Sequence, residues 1–163
     1  MIETLRKLEK SGLIDDVIIE YTEDGITKRK GSLSTFNLTV RSITEKQPER
    51  RRITTEIFGR DGEYEFSEPA NYTPREFTIV FNIYAELGNR EGQRNDFVIF
   101  LLSHAEGGKL MFSRRRNTYY DITSVDIGAF APDTNTKRRK WESTLTVTIK
   151  CAPKYHWNGE VVI

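Results

Sequence analysis

This sequence predicts a mainly β protein of the α+β class. The expected architecture is a β-sandwich or split barrel with one buried helix at about residues 94–105, a short N-terminal helix and a projecting β-hairpin. Three observations carry that prediction. Several runs alternate apolar and polar residues with the period of two that half-buries a strand. One continuous apolar run, Phe97-Val98-Ile99-Phe100-Leu101-Leu102, is bounded by residues that start and stop helices. Asp24-Gly25 directly follows a β-branched run, which is a strong hairpin signal.

Taken in order, Ile2, Leu5 and Leu8 lie three apart among charged residues, so a short helix with one apolar face is expected to end at Gly12. Residues 14–21 are β-branched and predict a strand. The returning arm Ile26-Thr27-Lys28-Arg29-Lys30 is so polar that it must be solvated or paired with something, which makes the hairpin a candidate projecting arm. Residues 35–41 place Phe36, Leu38 and Val40 on one face. Residues 52–58 form another expected strand, and Pro69 and Pro74 bracket an expected loop. The firmest strand covers residues 75–84, with Phe77, Ile79, Phe81 and Ile83 inward. Periodicity alone leaves the 97–102 run open between buried strand and buried helix. Asn95 and Asp96 as N-caps and Gly107-Gly108 as a stop favour the helix. Strands at 119–127 and 144–151 follow, the latter presenting Leu145, Val147, Ile149 and Cys151 together.

The 163 residues suit a single folded domain, which divides into a helix and hairpin arm at 1–33 and a β-rich core at 34–163. With 25 basic and 24 acidic residues the formal charge is +1, so no global field favours nucleic acid or an anionic membrane. No apolar run spans a bilayer and no signal peptide opens the chain, which predicts a protein made and kept in cytosol. The single cysteine, Cys151, excludes an internal disulfide and reads as a small core residue.

The residues for catalysis are sparse. His104 is expected near helix-terminal carbonyls and His156 in a terminal tail, and neither has a metal-ligand pattern around it. Asp15-Asp16 and the pair Glu63 and Glu65 read as solvated surface carboxylates. No nucleophile elbow, phosphate-binding glycine loop or zinc-protease motif occurs, so no enzyme and no cofactor is expected. Three basic clusters, Arg50-Arg51-Arg52, Arg114-Arg115-Arg116 and Lys137-Arg138-Arg139-Lys140, suggest phosphate contacts with Tyr119, Tyr120 and Trp141 as stacking platforms. Against that reading, a chain with nearly equal numbers of both charges needs basic loops to balance its acidic ones, so they read rather as loop charges or as charges registering neighbouring subunits. Large aromatics in strands more often turn inward, which places Tyr119 and Trp141 in the core.

Gly59-Arg60-Asp61-Gly62 ends a strand-like run with two glycines free to adopt positive φ and two opposite charges between them. No catalytic pattern accompanies it, so it reads as a structural turn whose Arg60 and Asp61 can meet an adjoining subunit. After it come the alternating strand at 75–82, the apolar helix, Gly108-Lys109-Leu110, Asn117-Thr118-Tyr119-Tyr120-Asp121-Ile122 and the segment 145–153. From about residue 34 to 155 this succession resembles the N-terminal domain of distal tail proteins of long-tailed bacteriophages.

The resemblance implies a β-sandwich with a helix and a projecting hairpin, and a structural role without chemistry. It further implies a ring of six copies in the virion tail, made in the host bacterial cytoplasm, that joins the tail tube protein to tail-tip or baseplate hub proteins. Asp24, Gly25, Lys28, Arg29 and Lys30 would then be arm contacts to a neighbour. The first thirty or so residues are not expected of such relatives. Many relatives also carry a second, carbohydrate-binding domain, so a chain ending at Ile163 predicts a hub role over receptor binding. Two other classes compete. One is a carbohydrate-binding β-sandwich using Tyr119, Tyr120, Trp141 and Trp157. The other is a β-barrel for single-stranded nucleic acid.

Overall fold

A computed structural model describes residues 2–10, 15–56, 63–84, 90–131 and 142–162. Helix α1 (Ile2–Lys10) precedes strands β1 (Val17–Glu23), β2 (Ile26–Gly31), β3 (Leu38–Lys46), β4 (Arg50–Glu56), β5 (Glu63–Tyr72) and β6 (Arg75–Tyr84). Helix α2 (Arg90–Phe100) runs on into one wider π-helical turn at Leu101–Ala105. Strands β7 (Lys109–Phe112), β8 (Thr118–Ala131), β9 (Glu142–Trp157) and β10 (Glu160–Val162) complete the chain.

One antiparallel sheet takes the order β2-β1-β7-β8-β9-β6-β3, with β10 added to β9, while β4 and β5 pair as a separate ribbon. Strand β9 is long enough to serve two partners in turn along one edge while β8 pairs with the other. Its first part pairs with β6 as far as Cys151, and its last part pairs with β10 from Tyr155. Pro153 lies between the two ladders, where its missing N–H costs nothing. Register shifts in β8 after Tyr120, Ile122 and Ile127 bend its partner in step.

These bends fold the sheet onto itself. Phe77 of β6 touches Phe112 of β7 at 5.3 Å between ring centres and Tyr120 of β8 at 4.7 Å, although β9 and β8 lie between β6 and β7 in the sheet order. The end strands β2 and β3 do not pair with each other. Residues 32–37 bridge them, with Ser32 N donating to Val17 O at 2.8 Å and Leu38 N to Ser32 O at 2.8 Å. The result is a sandwich-like split barrel, as the alternating runs predict.

Helix α2 covers the opening. Phe97 packs on Phe81 at 5.0 Å and Phe36 at 5.3 Å, and Phe100 packs on Tyr21 at 5.3 Å and Phe36 at 5.1 Å. The buried core therefore joins Val17 and Ile19 of β1, the inward faces of β6 and β9, and Phe97, Phe100, Leu101 and Ala105 of the helix. Burying each such large side chain contributes about 1.5–3 kcal/mol.

Several sequence expectations shift. The buried helix begins at Arg90, so Asn95 and Asp96 are exposed residues on its outer face and not its caps. Strand β3 begins only at Leu38, because Asn37 takes φ 60° and breaks the extended run from Phe36. Strand β5 runs through Pro69 to Tyr72; the ladder jumps from Arg51–Asn71 to Ile53–Phe66, and that irregularity accommodates the proline where a loop is expected. Strands β7 and β10 are additions that no expected strand covers. The Gly12 helix end, the turn Gly59-Arg60-Asp61-Gly62, Trp141 and the cluster Lys137-Arg138-Arg139-Lys140 lie outside the described residues.

Candidate subunit interface

The β1–β2 hairpin is tight because Asp24 and Gly25 both take positive φ, 50° and 75°, the mirror-image turn whose twist matches the strands it joins. Strand β1 is not a free arm: it pairs with β7 on its other side and buries Val17, Ile19 and Tyr21 in the core. Strand β2 alone is the edge. Its cations all have partners within the chain. Lys28 Nζ lies 3.4 Å from Glu23 Oε2, and Arg29 Nε donates to Glu20 Oε2 at 2.7 Å, with Lys109 Nζ of β7 3.8 Å from the same carboxylate. Lys30 Nζ lies 5.4 Å from the centre of the Phe100 ring and 6.0 Å from that of Tyr21. Among the described residues nothing pairs with the outer edge of β2, and Ile26 at its start is exposed. Lysine and arginine on such an edge suppress indiscriminate strand pairing while leaving it open to a complementary surface.

The base of the hairpin is held by the adjacent carboxylates that the sequence presents as surface groups. Asp16 is buried, and its Oδ1 accepts from Ser32 Oγ at 3.0 Å and Leu33 N at 2.8 Å. Asp15 Oδ1 accepts from Ser113 Oγ at 3.0 Å and Arg114 N at 3.2 Å, while Ser113 N donates to Asp16 O at 3.0 Å. Gly31 sits so close that an added Cβ would strike the Asp16 carboxylate and Ser34 Oγ. Strand β1 is thus clamped to the loops after β2 and β7.

Arg115 does not stand free for a phosphate. Its Nη1 donates to Tyr120 Oη at 2.9 Å, its guanidinium lies 4.9 Å from the centre of the Phe112 ring, and Glu45 Oε2 is 3.6 Å away. Arg75, almost fully buried, donates to Glu45 Oε1 at 2.9 Å, Gln47 Oε1 at 2.6 Å and Pro153 O at 3.3 Å. Burial holds the Tyr120 hydroxyl above its ordinary pKa, partly offset by its bond to Arg115. Arg114 and Arg116 are exposed, as is Arg50.

The aromatic expectation is reversed along β8: Tyr120 turns into the core and Tyr119 turns out. Tyr119 stacks on His156 at 4.2 Å between ring centres and 10° between planes, and His156 Nε2 lies 3.0 Å from Asp121 Oδ2. His156 is therefore a strand residue with a carboxylate partner, not part of a tail. His104 contacts the Tyr21 ring at 4.7 Å and the Phe100 ring at 5.7 Å. Cys151 is fully buried, and desolvation pushes its thiol up to about 12. Among the described residues no group of three or more His, Cys, Asp or Glu is placed to hold a metal ion, and no helix is long and apolar enough to cross a membrane.

No family model and no curated protein matches this sequence. Solved structures do match. The crystal structure of Dit from phage SPP1, described as a paradigm of the hub adsorption apparatus in phages infecting Gram-positive hosts, superposes on 87% of this chain with a TM-score of 0.57 at 14% identity. The fold is shared with SPP1 Dit. This chain spans about half of that protein, 51% of its length. The tail of a GTA particle with C6 symmetry and the six-fold symmetrised baseplate of the anti-feeding prophage also match, at TM-scores of 0.37 and 0.36 and identities of 10% and 9%. They cover 90% and 82% of this chain, and 94% and 87% of their own, but both superpositions are too loose to bear on its fold.

Proposed function

We propose that this chain is a structural component of a phage tail, a ring-forming hub that joins the tail tube to the tail-tip or baseplate proteins. The observation that carries this reading is the superposition of 87% of the chain on SPP1 Dit. The chemistry of the molecule agrees with it. Among the described residues its buried charged groups, Asp16 and Arg75, clamp strands together rather than face a substrate. Its ring contacts would be heterologous, with two different patches meeting around a closed cycle of six copies. The β2 edge supplies one such patch, at Asp24, Gly25, Lys28, Arg29 and Lys30. The turn Gly59-Arg60-Asp61-Gly62 is the candidate for another, on its opposite charges. The protein would be made in the bacterial cytoplasm and carried in the virion tail, without an enzymatic role.

The test is native mass spectrometry with negative-stain imaging of the full chain, alone and with a phage tail tube protein from the same genome. A closed ring of six is expected in at least one condition. A monomer in both, at concentrations where the tube protein polymerises, overturns the ring.

A further inference from the structure

We propose that one face of the corner formed by β8, β9 and β10 is a binding site for a short carbohydrate segment. The cross-strand register composes that face. Thr118 and Glu160 lie opposite Trp157 on either side, and Tyr120 and Val162 lie opposite Tyr155. Residues directly opposite share a face, so the half-buried Tyr155 and the exposed Trp157 form a short aromatic row along one side of the corner, backed by the buried Tyr120, with Arg115 beside it and Glu160 on the neighbouring strand. A groove of about 530 Å³ opens over these residues. That volume lies within the range of small-ligand sites.

The rings are held in place before any ligand arrives. The Arg75 guanidinium lies 4.9 Å from the centre of the Tyr155 ring and 5.9 Å from that of Tyr120, and Arg115 Nη1 holds the Tyr120 hydroxyl. Trp157 continues the row and is 49% exposed, which leaves ring surface free for a ligand to stack on. A pyranose fits that description. Its C–H face is electropositive and stacks on the negative face of an aromatic ring, while its hydroxyls point sideways. Here the sideways partners are the Arg115 guanidinium, the Glu160 carboxylate and Thr118 Oγ1, whose proton goes to Arg116 O at 3.1 Å and whose lone pairs remain to accept.

Two other occupants fit less well. A phosphate backbone would meet Glu160 within the groove, and the Arg115 charge there is already balanced by Glu45, although the guanidinium keeps N–H groups beyond its Nη1 contacts for neutral hydroxyls. A protein partner would want one continuous apolar patch, yet the other exposed apolar residue here, Val161, lies opposite His156 and so points to the far face of the corner. The mixed-charge rim and isolated aromatic row favour a neutral, hydroxyl-rich ligand.

The site does not depend on the ring. The experiment screens the full chain and its Trp157→Ala, Trp157→Phe and Glu160→Ala variants against an array of microbial oligosaccharides and bacterial surface polysaccharides, with light scattering on each sample. Saturable binding to at least one glycan is expected, weakened about tenfold or more by Trp157→Ala and largely kept by Trp157→Phe. Glu160 is exposed, so Glu160→Ala should fold normally and still weaken binding, which covers a Trp157→Ala that fails to fold. No glycan bound, or binding indifferent to both Trp157→Ala and Glu160→Ala, overturns the site; so does a Trp157→Ala variant that loses only its assembly. Glycan binding by a chain that forms no ring either alone or with the tube protein would sink the hub reading and leave this site standing.

Discussion

Asp16 shows how little of a residue's role its neighbours in sequence reveal. Beside Asp15 and after a helix, it has every mark of a solvated carboxylate, but its partners are Ser32, Leu33 and, through the backbone, Ser113, nearly a hundred positions away. Local pattern carries no information about such a contact. Replacing Asp16 by Ala strands the Ser32 hydroxyl and the Leu33 amide, and hydrogen bonds to a charged group are worth about 1.5–3 kcal/mol each at most. A loss of about 2–4 kcal/mol is therefore expected in urea denaturation, since the two bonds share one carboxylate. Gly31→Ala should destabilise by a comparable amount, because the new methyl pushes on that same carboxylate. Cys151, in contrast, was legible as a core residue from its place in an alternating strand. Its thiol is raised to about 12 from an ordinary 9.0, so the folded state keeps its proton where the unfolded chain gives it up. The resulting stability is complete below pH 9 and declines as pH rises towards 12. The native protein should resist thiol reagents at pH 8 and react only on unfolding; rapid labelling of the folded protein would contradict this burial.

At the level of elements, legibility followed the strength of the periodic signal. Strand β6 was readable to the residue because Phe77, Ile79, Phe81 and Ile83 alternate without interruption and all four are buried. The buried helix was readable in kind but not in extent. Asn95 and Asp96 favour caps in isolation, yet α2 tolerates them because its outer face is solvated and its stability comes from Phe97 and Phe100 against the sheet. Strand β5 was hidden by Pro69, whose accommodation depends on an irregular ladder with β4 that no local rule foretells. Arg75 opens the best-defined strand and also ties β6 to Glu45 in β3, to Gln47 just after it and to Pro153 in β9. Among the described residues, removing it leaves the partly buried Glu45 with the more distant Arg115 at 3.6 Å. Arg75→Ala should cost about 3–5 kcal/mol, the usual consequence of breaking a buried pair from one side. Arg75→Met, which keeps the volume, should cost less; equal losses would mean that packing on Tyr155 and not charge is what the arginine provides.

For the whole molecule, the decisive prediction concerns charge at the β2 edge against charge at the turn. Lys28 and Arg29 are exposed and their ion pairs with Glu23 and Glu20 are surface pairs, each contributing about 0–1 kcal/mol. Reversing both to Glu should therefore leave a folded monomer whose thermal midpoint moves by a few degrees at most. If the β2 edge is a ring contact, the same reversal places like charges against the neighbour's complementary surface and should abolish the ring at any concentration where the parent assembles. Arg60→Ala with Asp61→Ala makes a milder version of the argument at the other candidate patch, since it removes attraction without adding repulsion. It should weaken assembly, shifting the ring to higher protein concentration or lower salt. Because a folded ring is stabilised by mass action, the parent's thermal midpoint should rise with concentration while that of the Lys28→Glu, Arg29→Glu variant stays flat. A variant that still forms a full ring would remove the hairpin from the interface, and a ring unmoved by the Arg60 and Asp61 changes would return that motif to a plain turn.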